Sequence, residues 1–136
     1  MKQLQIVAPH MVHQVWEVIG PFFEASVNGS VDDCTAEQFK ALLANGDQTL
    51  FAVIEDEKII GVFSVIMINE PNHRVAHTTA MGGRGMFSAD SIAQYEVWAK
   101  AQGATKIRAW AKEPQARLYR QKMGLNTTML VVEKTI

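Results

Sequence analysis

Cysteine is nearly absent from this chain. Cys34 is the single thiol in 136 residues, so no internal disulfide can form. The four histidines, His10, His13, His73 and His77, lack metal-ligand spacing, and no metal is expected. No apolar run approaches the roughly 18 residues that cross a membrane. Basic residues are not in excess either: 13 Lys and Arg against 14 Asp and Glu give a formal charge of −1, which leaves no electrostatic footprint for nucleic acid. Internal repeats, low-complexity tracts and linker-like stretches are missing too. The opening Met1-Lys2-Gln3-Leu4-Gln5 lacks the long apolar region of a secretion signal, so a cytoplasmic location is expected.

What is present is 48% apolar residues, enough for one core, and residues 1–136 read as one continuous domain. Leu4 to Ala8 reads as a short strand ended by Pro9, after which Met11, Val12, Val15, Trp16 and Ile19 recur at helical spacing. Gly20-Pro21 is expected to break or kink that helix, with Phe22 and Phe23 continuing its apolar face before a loop around Asn28-Gly29-Ser30. Thr35 with Gln38 three residues later is a capping box. It opens a second helix whose stripe is Phe39, Leu42 and Leu43 and which Asn45-Gly46 ends.

The period then changes. Thr49 to Ile54 and Ile59 to Ile68, rich in Val, Ile and Phe, flank the turn Glu55-Asp56-Glu57-Lys58 as a hairpin, and Val75 to Met81 follows Pro71-Asn72 as a third strand. Apolar spacing predicts a helix over Ser88 to Gln102 stopped at Gly103, then a strand at Thr105 to Ala111. A helix from Pro114 to Met123, ended by Gly124, and a last strand at Thr127 to Glu133 complete an α/β pattern with a mixed sheet. Trp16, Trp98 and Trp110 are expected to anchor helices on the sheet, Trp110 alternatively to touch a ligand.

Between the third strand and its helix lies the cluster Met81-Gly82-Gly83-Arg84-Gly85-Met86-Phe87. Glycines let a backbone turn with its N–H groups inward, and the first turn of the next helix adds unpaired donors and positive dipole, which together suit a pyrophosphate. Three glycines are equally compatible with plain turn geometry.

The order of elements, with the loop Gly83-Arg84-Gly85, the helix end Trp98-Ala99-Lys100-Ala101-Gln102-Gly103 and the segment from Ala116 to Leu125, resembles the GNAT superfamily of acyl-CoA-dependent N-acyltransferases. The likeness covers nearly the whole chain. It implies a central mixed sheet of about six strands, largely antiparallel, flanked by about four helices. It also implies acetyl-CoA or another acyl-CoA as co-substrate and an amine acceptor that attacks the thioester directly. A second likeness, on the run into Phe51-Ala52-Val53-Ile54-Glu55 and on Met81-Gly82-Gly83, is to short GNAT-like proteins encoded by tailed phages. The departures from the family pattern, at the lead residue of the loop, at Phe87 and at Tyr119, set the alternative of a catalytically degenerate structural or interaction module, as a phage virion component or homo-oligomer, in the host cytoplasm or the virion.

The resemblance also assigns residues. Thr79, Ala80 and Met81 would pair with the pantetheine arm, Gly82, Gly83, Arg84, Gly85, Met86 and Phe87 would hold the pyrophosphate, and Arg120 would meet CoA phosphates. The family loop begins with Gln or Arg, where this chain has Ala80 or Gly82 depending on register, and in the second register Phe87 takes a position normally small. The family's tyrosine acid falls at Arg120 when counted from Gly124 or Ala116, whereas Tyr119 lies one residue, about 100°, around the helix. Tyr119 is the candidate acid, with packing on the sheet and its hydroxyl at the rim as the alternative, and His77 the candidate base, with a strand histidine facing solvent or held by a neighbour as the alternative. Glu70 can orient an acceptor amine or be a solvated turn carboxylate.

Overall fold

A computed structural model describes residues 1–27 and 34–136. The loop expected around Asn28-Gly29-Ser30 lies outside the described residues. The chain runs β1 (Gln3–Val7), a 3-10 turn (Pro9–Met11), α1 (Val12–Val27), α2 (Ala36–Ala44), β2 (Thr49–Glu55), β3 (Lys58–Asn69), β4 (Arg74–Gly83), α3 (Ala89–Ala101), β5 (Lys106–Ala109) and α4 (Glu113–Met123). The strands form one sheet in sequential order, antiparallel from β1 to β4, with β5 parallel to β4.

Local signals account for most boundaries. The Thr35 hydroxyl accepts from the Gln38 N–H at 3.1 Å while the Thr35 N–H donates to Gln38 Oε1 at 2.9 Å, the reciprocal bond pair of a capping box. Gly46, Gly103 and Gly124 follow helix ends with positive φ. The β2–β3 hairpin turns on Asp56 and Glu57 at φ 51° and 65°, a two-residue left-handed turn made without glycine.

Three expectations need correction. Pro21 does not end the first helix, which runs to Val27 with the exposed proline inside it. Gly20 has a different use there, since a Cβ would lie 2.9 Å from the Trp16 ring. The third long strand does not stop at Met81 but runs on through Gly82 and Gly83, paired with Val62 and Gly61. The predicted strand at Thr127 to Glu133 does not form: no regular structure follows Met123, and Met129, Leu130, Val131 and Val132 are exposed. Strand composition cannot substitute for a hydrogen-bonding neighbour. Among the described residues the sheet therefore has five strands, close to the about six expected.

Strand alternation divides the core in two. Leu50, Val62 and Ala80 face α1 and α2 and pack with Val12, Ile19, Phe23, Phe39 and Leu43. Phe51, Val53, Phe63, Val65 and Ala76 face the other way, against Tyr95 and Ala99 of α3. The second layer is aromatic: Phe51 and Phe63 stack at 4.8 Å, and Trp98 meets Phe51 edge-on at 4.9 Å. Among the described residues no helix is long and apolar enough to cross a membrane.

Candidate functional site

The sheet opens where β5 ends. β5 pairs with β4 only from Val75 to Thr78, and β4 continues from Thr79 to Gly83 without it. A bulge coincides with the parting. The β3–β4 register passes from Ser64↔Ala80 to Val65↔Thr78, so Thr79 is an extra residue on β4. A bulge bends its strand and takes the extra residue out of the ladder. Here it sits next to the last β4–β5 pair, and the result is an open strand edge over Thr79, Ala80, Met81, Gly82 and Gly83. The bulged residue is tied down by side chains: Thr79 Oγ1 lies 2.6 Å from the buried Ser64 hydroxyl and donates to Gln48 Oε1.

The glycine cluster splits into two functions. Gly82 and Gly83 are ladder residues selected by contact. A Cβ on Gly82 would collide with the Phe22 carbonyl of α1, and one on Gly83, at φ +127°, would come within 2.5 Å of Gly61 Cα and of the Ile60 oxygen. The loop proper is Arg84-Gly85-Met86-Phe87. Arg84 is exposed, and Gly85 sits at φ +62° with open space where a side chain would be. Met86 is buried in the aromatic layer, and Phe87 turns under α3 to lie 5.6 Å from Phe63. Phe87 thus packs into the same aromatic layer as Met86.

The loop feeds α3 through Ser88. Its N–H donates to Ser91 Oγ at 2.8 Å, and that hydroxyl donates to the Met86 carbonyl at 2.9 Å, fixing the loop to the helix start. Asp90, in the first turn, accepts from the Ser88 hydroxyl and from the Lys2 and Ser91 N–H groups at 3.0 Å, and the Ser88 bond foremost holds its carboxyl below the usual range. Asp90 thus sits at the α3 N-terminus, where its charge meets the helix dipole.

Tyr119 and Arg120 part company in space. In α4 the half-buried positions are Ala116, Tyr119 and Met123, a helical stripe, so Tyr119 turns inward. Its hydroxyl donates to Met81 Sδ of β4 at 3.0 Å. Burial, with neighbouring Tyr95 adding to it, pushes this hydroxyl far above its ordinary pKa. Tyr95, which meets Thr78 Oγ1 at 3.3 Å, is pushed by burial up to about 12. Arg120 is exposed, and its guanidinium donates to Glu113 at 2.5 Å and Thr127 at 2.8 Å, so its charge is matched on the helix surface.

His77 lies on the opposite face of the sheet from Thr78 and Met81, by strand alternation and the intervening bulge. It is 3% exposed and meets the Trp110 ring edge-on at 4.9 Å. Trp110 itself is 47% exposed, just past the end of β5. It therefore borders the opening instead of anchoring a helix, the role Trp16 and Trp98 do have. Glu70 accepts both arms of Arg108, at 2.7 and 3.1 Å, and this pairing holds its carboxyl below the usual range, so it is not a free turn carboxylate.

One signal was present in the sequence but is not a motif. Residues 1–73 carry ten acidic and three basic side chains, a balance of −7, while residues 74–136 carry four acidic and ten basic, a balance of +6. The first part builds α1 and α2; the second builds the glycine loop, α3, β5 and α4. An anionic ligand at the loop would meet the basic part.

No family model matches the chain, and no curated protein matches it by sequence. Solved structures do match by shape. An aminoglycoside acetyltransferase from an uncultured soil metagenomic sample, in complex with sisomicin, superposes with a TM-score of 0.71 at 13% identity, covering 99% of this chain and 96% of that one. An aminoglycoside N-acetyltransferase in complex with CoA gives 0.68 at 14% identity, covering 100% and 95%. A ribosomal-protein-alanine N-acetyltransferase from Brucella melitensis gives 0.67 at 12%, covering 100% and 98%. Identities this low speak to fold alone, and the chain has the GNAT acetyltransferase fold.

Proposed function

We propose that this protein is an acyl-CoA-dependent N-acyltransferase. The observation that carries the proposal is the open β4 edge from Thr79 to Gly83, which begins at a bulge and leads into the exposed loop at the α3 N-terminus. An extended pantetheine arm needs main-chain partners along such an edge, and a pyrophosphate needs inward N–H groups at its end. Arg84 adds a charge-assisted donor. The mechanism is direct: the acceptor amine attacks the thioester carbonyl, and the sulfur leaves with the C–S electron pair. Tyr119 donates its proton to that sulfur, from a hydroxyl that reaches the open part of β4 at Met81. His77, on the other face and beside Trp110, takes the amine's proton, directly or through water.

Calorimetric titration with acetyl-CoA, against a truncated pantetheine thioester, tests the proposal. Saturable binding of acetyl-CoA in the roughly 1 μM to 1 mM range of enzyme substrates is expected, with the truncated analogue at least tenfold weaker. Absence of heat at millimolar acetyl-CoA overturns the reading in favour of the fold serving as an interaction module. Tyr119→Phe is expected to slow acyl transfer at least tenfold, measured as CoA release across a panel of amines, with acetyl-CoA affinity nearly unchanged.

A further inference from the structure

The Tyr119 hydroxyl has an unusual partner. It donates to the thioether of Met81 at 3.0 Å, a residue on the part of β4 that β5 has left open. We propose that Met81 is a positioning residue whose thioether holds, in the ligand-free protein, the place beside the Tyr119 hydroxyl that the sulfur of an acyl-CoA takes during transfer. The inference rests on the acyltransferase reading above and adds to it a residue that acts through its side chain.

Three physical points support it. A half-buried phenol without an acceptor would be costly, so something must receive its proton before the substrate arrives. A neutral thioether is a weak acceptor, and the methionine side chain is unbranched with three rotatable bonds, so the contact orients the phenol yet is given up at small cost. A sulfur leaving as thiolate is a far stronger acceptor, so the exchange is favoured when charge develops on it, which is where catalysis needs the stabilisation. In the step itself the amine nitrogen forms the C–N bond and the C–S bond breaks with its electron pair on sulfur. The phenol proton moves to that sulfur to give the CoA thiol. His77 takes the acceptor's proton and passes it on to solvent, from which the phenolate regains its own. Met81 is unchanged throughout. A carboxamide or carboxylate at position 81 would hold the phenol too firmly to release it.

The chain has two tyrosines, Tyr95 and Tyr119, so labelling with 3-fluorotyrosine gives two fluorine resonances, assigned with Tyr95→Phe and Tyr119→Phe. The probes are CoA and desulfo-CoA, which lacks only the thiol sulfur. Both are expected to bind by calorimetry. CoA should move the Tyr119 resonance and leave Tyr95 in place, whereas desulfo-CoA should leave both near their free positions. Met81→Leu keeps the volume and removes the sulfur. It should shift the Tyr119 resonance of the free protein yet converge on the wild-type position once CoA is bound. Equal shifts with the two probes, or a free-state Tyr119 resonance indifferent to Met81→Leu, would overturn the inference while leaving acyl-CoA binding intact. Failure of both probes to bind would instead overturn the acyltransferase reading, and the inference with it. The comparison of probes needs no variant, so it stands even if Met81→Leu fails to fold.

Discussion

Single residues around the opening answer to different constraints even when they look alike in sequence. Gly82 is held against α1, where a Cβ would overlap the Phe22 carbonyl, while Gly85 has open space but a φ of +62°. Gly82→Ala is therefore expected to lower the melting temperature by more than 8 °C or prevent folding, and Gly85→Ala to cost only about 1 kcal/mol by thermal denaturation. The tyrosines carry a pH signature. Tyr95 is raised to about 12 from 10.0, and Tyr119 is raised as well, both chiefly by burial. Raised folded-state values mean that their stabilisation is fully present below about pH 10 and is lost as pH climbs through the folded values. Urea midpoints should stay level from pH 7 to about 9.5 and fall above it, and Tyr95→Phe should flatten that fall. The glycines were visible as a cluster in the sequence, but which of them packs and which forms the loop was not, because that depends on α1 crossing β4.

At the level of elements, the β2–β3 hairpin stores a removable cost. Asp56 and Glu57 both occupy left-handed backbone, which aspartate tolerates and glutamate does so poorly. The pair Asp56→Asn and Glu57→Gly is expected to stabilise the protein by about 0.5–1 kcal/mol, read as a rise in chemical-denaturation midpoint with an unchanged slope. In α4, counting from Gly124 or Ala116 falls on Arg120, while the face the helix buries, Ala116, Tyr119 and Met123, is set by packing and leaves Arg120 at the surface. Helix and hairpin signals were legible because caps, turns and apolar period are local. The last strand was misread because a run such as Thr127 to Glu133 satisfies every local rule for a strand and still lacks a neighbour to pair with.

Taken whole, the chain is divided in charge along its length: residues 74–136, which include the loop, α3, β5 and α4, carry a balance of +6, and residues 1–73 a balance of −7. Acetyl-CoA affinity should accordingly weaken several-fold between about 20 and 500 mM salt, and uncharged glycerol at equal osmolality should leave it unchanged. Calorimetry across that salt series checks it. A flat response would mean that backbone donors of the loop, not the field of the domain, hold the anion.

Element order, helix caps, the hairpin and the α/β class were set by the sequence alone, because each is written in residues close together along the chain. Only the tertiary structure decided where the sheet parts, since the bulge at Thr79 and the end of β5 at Ala109 come from strands far apart in sequence. It likewise decided that Phe87 turns beneath α3, that Arg108 is paired with Glu70, and that Tyr119 meets Met81. Each of those outcomes is a contact between segments that no local period, cap or turn rule connects, so packing had to settle it.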